Sequence, residues 1–535
     1  MKLTSIPPPL LQPQSAVSNI REAQASPEPA SRISSIIPAT SVSPSPTADE
    51  SDTYARPRLV SRTFSNVISP ADGHTTRETS SHLSNAIGRY SATGDLDPTG
   101  FMSRLAGMAG ETSLFEGEVR RASISEEAAA ANVQPDFKDK LRGPGETMEV
   151  QLRTADGDLV TIELKAVNAE GGDKALSFTM EVKGDLSEQE LAAVSEAANG
   201  LGKVANRFFK DGEAALNELP SLENKALTGF TLELKDLNNE TLQLEFNRSA
   251  LEGNMQLKGE FNGYSFDVTR NTAGTMIGDA LLENPQYQQY VKLIEESGQA
   301  YGTDSDNIRF MKEGLDAAFG VQSDEDTAER IGENGSVAPY LNDTSRETIN
   351  NFASNLPDFE ASFRSSVTVN PYRVTDQAFM TLDMSQSTEL NKAASGNIDF
   401  TQKFNYEQTV QTFEALPGMD QPDLKGGNYV LQTLDRKEEV LRYLELDNGQ
   451  PATAAESRKG EESLVREIKE QFAVKDTEVG KEGFDYVVDL LAQADALGEK
   501  SAEFQRDQLL NSETLQLFEL AGSTRQPSAS EQPAE

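Results

Sequence analysis

Met148-Glu149-Val150-Gln151-Leu152-Arg153, then Ala155-Asp156-Gly157-Asp158, then Val160-Thr161-Ile162-Glu163-Leu164 decide how this chain of 535 residues folds. Apolar and polar residues alternate on both sides of a glycine-bearing turn. Successive side chains of a strand point to opposite faces, so the pattern describes an antiparallel hairpin with one dry and one wet face. Working outward, Leu176, Phe178, Met180 and Val182 mark a third strand. Phe230, Leu232 and Leu234 pair with Leu242, Leu244 and Phe246 through Asp236 to Asn239. Met255 and Leu257 face Tyr264, Phe266 and Val268 across Asn262-Gly263, the two-residue hairpin signal. Between the third and fourth strands, Ser187-Glu188-Gln189-Glu190 has capping-box spacing. Leu191, Val194, Ala198, Leu201, Ala205 and Phe208 then recur at helical intervals, as one helix or as two broken near Gly200 and Gly202. Residues 136–270 are therefore expected to form an α+β domain of antiparallel hairpins with a helical insert.

The flanks read differently. Residues 1–100 are rich in Ser, Thr, Pro and Ala, as in Ser41-Val42-Ser43-Pro44-Ser45-Pro46-Thr47, and bury too little apolar area to offset chain entropy, so a disordered leader is expected. Residues 101–135 read as a linker with a marginal helix at Phe101, Leu105 and Met108, leading through Ala128 to Ala131. Residues 271–356 read as helical, with Asn284-Pro285 opening a helix at Tyr287, Tyr290, Val291 and Ile294, and later starts at Asp306 and at Thr344 with Glu347. Alternation at Phe363, Val367, Val369, Met380, Leu382, Met384, Ile398 and Phe400 makes 357–425 a small β-rich region, either a second sheet or an extension of the first. From 426 to 521 the spacing of Val430, Leu434, Leu441 and Leu444, of Leu464, Ile468 and Phe472, of Phe484, Val487 and Leu491, and of Phe504, Leu510, Leu517 and Leu520 predicts a four-helix bundle. Residues 522–535 read as a disordered tail.

The chemistry open to this chain is narrow. Its two histidines, His74 and His82, lie in the leader, and cysteine and tryptophan are absent. Histidine is the side chain that titrates near neutral pH, so Ser-His-Asp and Cys-His triads and His-ligated zinc are excluded from the folded part. Neither a Walker-type loop nor a strand-linked G-x-G-x-x-G occurs. Calcium needs only oxygen ligands, yet Asp95-x-Asp97-x-Thr99-Gly100 has Ala106 where an EF-hand carries glutamate. Asp304-Ser305-Asp306 and Asp156-Gly157-Asp158 read better as a helix cap and a hairpin turn. Carboxylate pairs occur by chance among 87 acidic residues, and aromatics are only 7%. Tyr287, Tyr290 and Phe208-Phe209 read as core. No catalytic, cofactor-binding or metal site is assigned, and no cofactor is expected. A formal net charge of −39 opposes binding to nucleic acid or anionic membranes, and no run of about 18 apolar residues would cross a bilayer as a helix.

Two resemblances add to this reading. The first fifty residues contain ten serines, an aliphatic Leu3 and no acidic residue before Glu22; in this they resemble the leaders of bacterial type III export substrates, effector or flagellar. That resemblance implies a cytoplasmic protein exported by a leaderless route, with a secretion chaperone as one partner. Val150 to Ile162, Leu176-Ser177-Phe178 and Asp185 to Leu191 resemble a domain spanning about 140–245 in uncharacterised proteins of Gram-negative bacteria, which implies no activity. The expectation is a bacterial, acidic, non-enzymatic interaction protein with an unidentified protein partner. Docking through apolar positions near Leu441, Phe472 and Leu491 is one route. The alternatives are a secreted enzyme using carboxylate or lysine chemistry and a cytosolic scaffold with a disordered tether.

Overall fold

Period-two alternation becomes one antiparallel sheet. The computed structural model describes residues 59–68, 90, 95–125, 130–131, 145–168, 174–249, 253–271, 281–321, 341–393, 396–496 and 517–520, all within one compact unit, 58–535. The strands are β1 (Leu59–Ile68), β2 (Leu114–Ser125), β3 (Gly145–Thr154), β4 (Leu159–Asn168), β5 (Lys174–Lys183), β6 (Leu227–Lys235), β7 (Thr241–Arg248), β8 (Asn254–Phe261), β9 (Tyr264–Asn271), β10 (Phe359–Arg364), β11 (Thr368–Val369), β12 (Gln377–Lys392), β13 (Ile398–Glu414), β14 (Tyr429–Asp447), β15 (Gln450–Glu470) and β16 (Ala473–Asp489). Their order is β1-β2-β5-β4-β3-β6-β7-β8-β9-β10-β12-β13-β14-β15-β16, with β11 beside β12. From β6 onward the sheet is a meander. Antiparallel sheets tolerate one wet face, and this one uses that freedom along its length.

Helices cover the dry face. They are α1 (Pro98–Met108), α2 (Glu188–Asp211), α3 (Pro285–Tyr301), α4 (Ser305–Phe319), α5 (Asp343–Phe352) and α6 (Leu490–Ala496). Helix α2 lies on β3 and β6, α4 on β8 and β9, α3 on β12 and β13, and α5 on β14 and β15. Two predicted signals act as read: Ser187 and Glu190 form the capping box of α2, and Asn284 caps α3 with Pro285 at its first turn; α4 is capped by Asp304 and begins at Ser305, one residue before the predicted start at Asp306. Asn262 and Gly263 both take positive φ at the β8–β9 turn. Helix α2 is continuous through Gly200 and Gly202, because a side chain there would meet Pro220 or the backbone of Thr99 in α1. The helix breaks suggested by those glycines are close approaches instead.

Directly opposed Gly–Phe pairs recur across neighbouring strands: Gly117 with Phe178, Gly259 with Phe266, and Gly460 with Phe484. In each the ring lies over the space that the glycine leaves. An aromatic ring thereby covers backbone that would otherwise be open.

Several sequence expectations are corrected. The helical bundle over 426–521 is replaced by β14, β15, β16 and the short α6. Its alternation was hidden because buried positions there carry charge: Glu438, Arg442, Glu456 and Arg458 point to the dry face alongside Val440 and Leu444. Charged residues on a buried face break the apolar period, leaving chance i, i+3 and i+4 matches to read as helix. The fourth predicted helix falls largely outside the described residues. Residues 101–125 of the predicted 101–135 linker are part of the fold, since Phe101, Met102 and Leu105 of α1 are fully buried and β2 joins the sheet. Within the segment assigned to the leader, 59–68 form β1 and pair with β2, and α1 begins at Pro98. The rest of the leader and the 522–535 tail lie outside the described residues. Asn342, not Thr344, caps α5. The region 357–425 extends the first sheet through the β9–β10 pairing. The α+β class stands.

Candidate functional site

The wet face of the sheet carries an open trough of about 810 Å³, running across β8 to β15. Each of these strands exposes alternate residues there, so register aligns them in rows. One row runs Gln256, Thr269, Glu360, Ser385, Asn405, Glu439, Lys459. The next runs Lys258, Asp267, Ser362, Asp383, Glu407, Lys437, Glu461. A smaller hollow of about 390 Å³ continues toward β6 past Lys258 and Arg364.

Charge is ordered along these rows. Lys403 and Glu439 are 2.6 Å apart, Arg364 and Asp383 2.7 Å, Lys437 and Glu461 2.9 Å, and Lys258 and Asp267 3.3 Å. The hydrogen bond from Lys437 holds the Glu461 carboxyl below its usual range, and Glu461 in turn raises the Lys437 ammonium. Both stay ionised at neutral pH. Ser362 donates to Asp383, and the Asn405 amide donates to Ser385. Glu360 and Glu407 line the same trough with no ion pair among the described residues. The site therefore carries surplus negative charge on a ladder of paired ions.

A second cluster lies buried near the far end of the same strands. Lys469 reaches Asp376 at 2.7 Å, Tyr429 donates its hydroxyl to the same carboxylate, and Asn370 donates to Tyr429 at 3.2 Å. Burial alone would raise the Asp376 carboxyl, but the bonds from Lys469, Tyr429 and Thr375 outweigh it and leave it below the usual range. Burial first, and then Asp376, pushes the Tyr429 phenol up to about 12. Every polar group finds a partner, so the cluster pins the turn at 370–376 to β14 and β15.

On the dry face, residues 517–520 dock onto the sheet. Leu517 and Phe518 are fully buried, and the Phe518 ring lies 4.8 Å from Tyr406 and 5.7 Å from Tyr290. Gln289 accepts from the N–H groups of Leu517 and Phe518, and Glu438 accepts from those of Glu519 and Leu520.

Sequence positions weighed for chemistry take ordinary roles. Asp97 caps α1, Asp156 and Asp158 sit in the β3–β4 turn, and Tyr287 and Tyr290 are core. Leu441 stands on the wet face of β14, Phe472 in the β15–β16 turn and Leu491 in α6; they share no surface. No group of three or more candidate metal ligands occurs among the described residues, and no helix among them is long and apolar enough to cross a membrane. The trough escaped sequence reading because its residues are the polar half of an alternating pattern. The only signal was the length of alternation from 377 onward.

Comparison with known proteins leaves the reading to physics: no protein-family model matches the chain, and neither a curated protein nor a solved structure is significantly similar to it.

Proposed function

We propose that this is a non-enzymatic interaction protein whose wet sheet face recognises a basic, extended stretch of a protein partner. The observation that carries the proposal is the ordered trough, in which two carboxylates without an ion pair, Glu360 and Glu407, outweigh Lys459, whose pair Asp485 lies outside it. Paired ions fix a rigid charge pattern, and the surplus acids give its sign. The chain's net charge of −39 acts in the same direction over longer range, steering a cationic partner and repelling polyanions. Export by a leaderless, type III-like route from the bacterial cytoplasm, with a chaperone on the leader, belongs to the same proposal and rests on the Ser-rich first fifty residues.

The test uses a fluorescent peptide alternating Lys and Ser, an acidic Glu/Ser control, and the full chain. The basic peptide should bind, weaken as salt rises and lose affinity about tenfold or more in Glu360→Lys/Glu407→Lys, from the reversal of two charges. Equal binding of both peptides, or no effect of the double variant, would sink the proposal. Export is tested separately, by fusing residues 1–100 to a reporter in a type III-competent cell; a retained reporter removes that part alone.

A further inference from the structure

We infer that β16 is a dimerisation edge: two copies join their sheets by pairing β16 antiparallel with itself about a two-fold axis through Gly483. Among the described residues strand β16 ends the sheet, and Ala473–Asp489 are exposed almost throughout, with Val474, Val479, Tyr486 and Val487 among the exposed large apolar residues. A long edge of unpaired backbone is a template for another strand. Edges that are guarded carry proline, bulges or like charges that would meet in self-pairing. Strand β16 has no proline, and its register shift with β15 lies only near Lys469 and Val474, at its beginning.

Its charges are complementary to themselves in one register. A two-fold axis normal to the sheet keeps each face on its own side, so it must pass through a residue, not between two. Centred on Gly483, Lys481 faces Asp485 of the second copy, twice, and Val479 faces Val487, twice. All four positions lie on the wet face, as Asp485 opposes Lys459 and Val487 opposes Ser457. On the dry face Gly480 meets Tyr486, and no like charges oppose each other between 477 and 489. Centring on Lys481, Glu482 or Asp485 instead sets a charge against itself, and centring on Gly480 sets Glu478 against Glu482.

The Gly480–Tyr486 match carries the argument furthest. Within the chain, Gly117, Gly259 and Gly460 each lie beneath an opposed phenylalanine. At Gly480 the nearest atoms, from Leu464, are 4.0 Å from where a side chain would begin, so that glycine is uncovered. Tyr486 is a half-exposed ring whose hydroxyl donates to Glu519 on the β15 side, and turning from Glu519 toward the edge would set it over that glycine. Each copy supplies the ring that the other's glycine lacks.

The test is sedimentation of the full chain at micromolar concentrations. Wild type should be dimeric. Lys481→Glu and Asp485→Lys should each weaken self-association by about tenfold or more, because each turns two attractive cross-strand pairs repulsive. Mixing the two variants should restore dimers, since the introduced glutamate of one copy then faces the introduced lysine of the other across the interface. This mixing also shows that each variant is folded. Register is checked in this cysteine-free chain with Val479→Cys and Val487→Cys: oxidation should cross-link the mixture and neither variant alone, as opposed residues lie within disulfide reach. A monomeric wild type, single variants that dimerise like wild type, or cross-linking of one cysteine variant with itself would each overturn the inference.

Discussion

Glu456→Gln should destabilise the chain far more than Arg442→Met, although both break the same ion pair. The Arg442 Nε donates to Glu456 at 2.9 Å and the Arg458 Nε donates to the other carboxylate oxygen at 2.5 Å. The Arg442 side chain is 0% exposed, Glu456 5% and Arg458 6%. Glu456 is therefore the shared counter-charge of two buried cations. Neutralising it strands Arg442 and leaves Arg458 only the weaker field of Glu519, at 3.6 Å, and of Glu438, and breaking such a pair from one side costs about 3–5 kcal/mol. Removing Arg442 leaves Glu456 satisfied by Arg458. That change loses the cation–π contact with Phe404, 5.2 Å away, which contributes about 2 kcal/mol when dry. It also removes two buried guanidinium nitrogens that have no hydrogen-bond partner among the described residues, each of which costs about 1–3 kcal/mol to keep. Together with the lost charge-assisted hydrogen bond to Glu456, about 1.5–3 kcal/mol, the lost cation–π contact offsets a relief of about 2–6 kcal/mol, so Arg442→Met should lie within about 2 kcal/mol of wild type. Urea unfolding at pH 7 reads both as midpoint shifts at unchanged slope. The double variant should recover part of what Glu456→Gln loses, because the stranded cation is gone. Equal losses in the two single variants, or a double variant worse than either, would refute the reasoning.

Two further outcomes follow from local geometry. Gly263→Val should cost about 1–3 kcal/mol, because φ is +76° there and a side chain would start 2.7 Å from Ser366; Gly157→Val, at φ +95° with open space around it, should cost less, and thermal unfolding that ranks them otherwise would contradict the turn geometry. The Glu190 carboxyl is lowered to about 2 by hydrogen bonds from Thr154 and then from Ser187; its folded pKa lies below its unfolded one, so its stabilisation is complete above about pH 4.5 and disappears toward pH 2. Glu190→Gln should flatten that part of the stability curve, and an unchanged slope in urea midpoints measured from pH 5 to pH 2 would exclude the hydrogen bonds to Glu190 as its source.

What the sequence made legible was local, and what it concealed was shared between distant segments. Ser187 with Glu190, Asn284 with Pro285, and Asn262 with Gly263 act within a few residues, so their chemistry could be read without a fold. Strands β3 to β9 announced themselves because their buried residues are apolar. Strands β14 and β15 did not, since Arg442 and Glu456 satisfy one another across strands that no local window contains. The trough was invisible for a related reason. Glu360, Glu407 and Lys437 are ordinary surface residues until register aligns them, and register depends on hairpins tens of residues apart.

The two proposed surfaces depend on one another through the geometry of the sheet. A wet face is the unavoidable result of covering one side of so wide a sheet with helices in a chain that is only 36% apolar, so polarity alone would mean nothing there. Order is what polarity does not explain: ions paired strand by strand, and surplus carboxylates held at fixed places among them. The trough ends at β15, one strand from β16 at the edge of the described sheet, where Lys459 opposes Asp485 and Glu461 opposes Gly483. A two-fold axis through Gly483 keeps the wet face on one side, so its rows run on into the second copy and a single surface carries two troughs. A basic partner long enough to span both would bind the dimer more tightly than either half alone. By linkage such a partner must then promote dimerisation by the same factor, whereas one that fills a single trough would leave the equilibrium where it was.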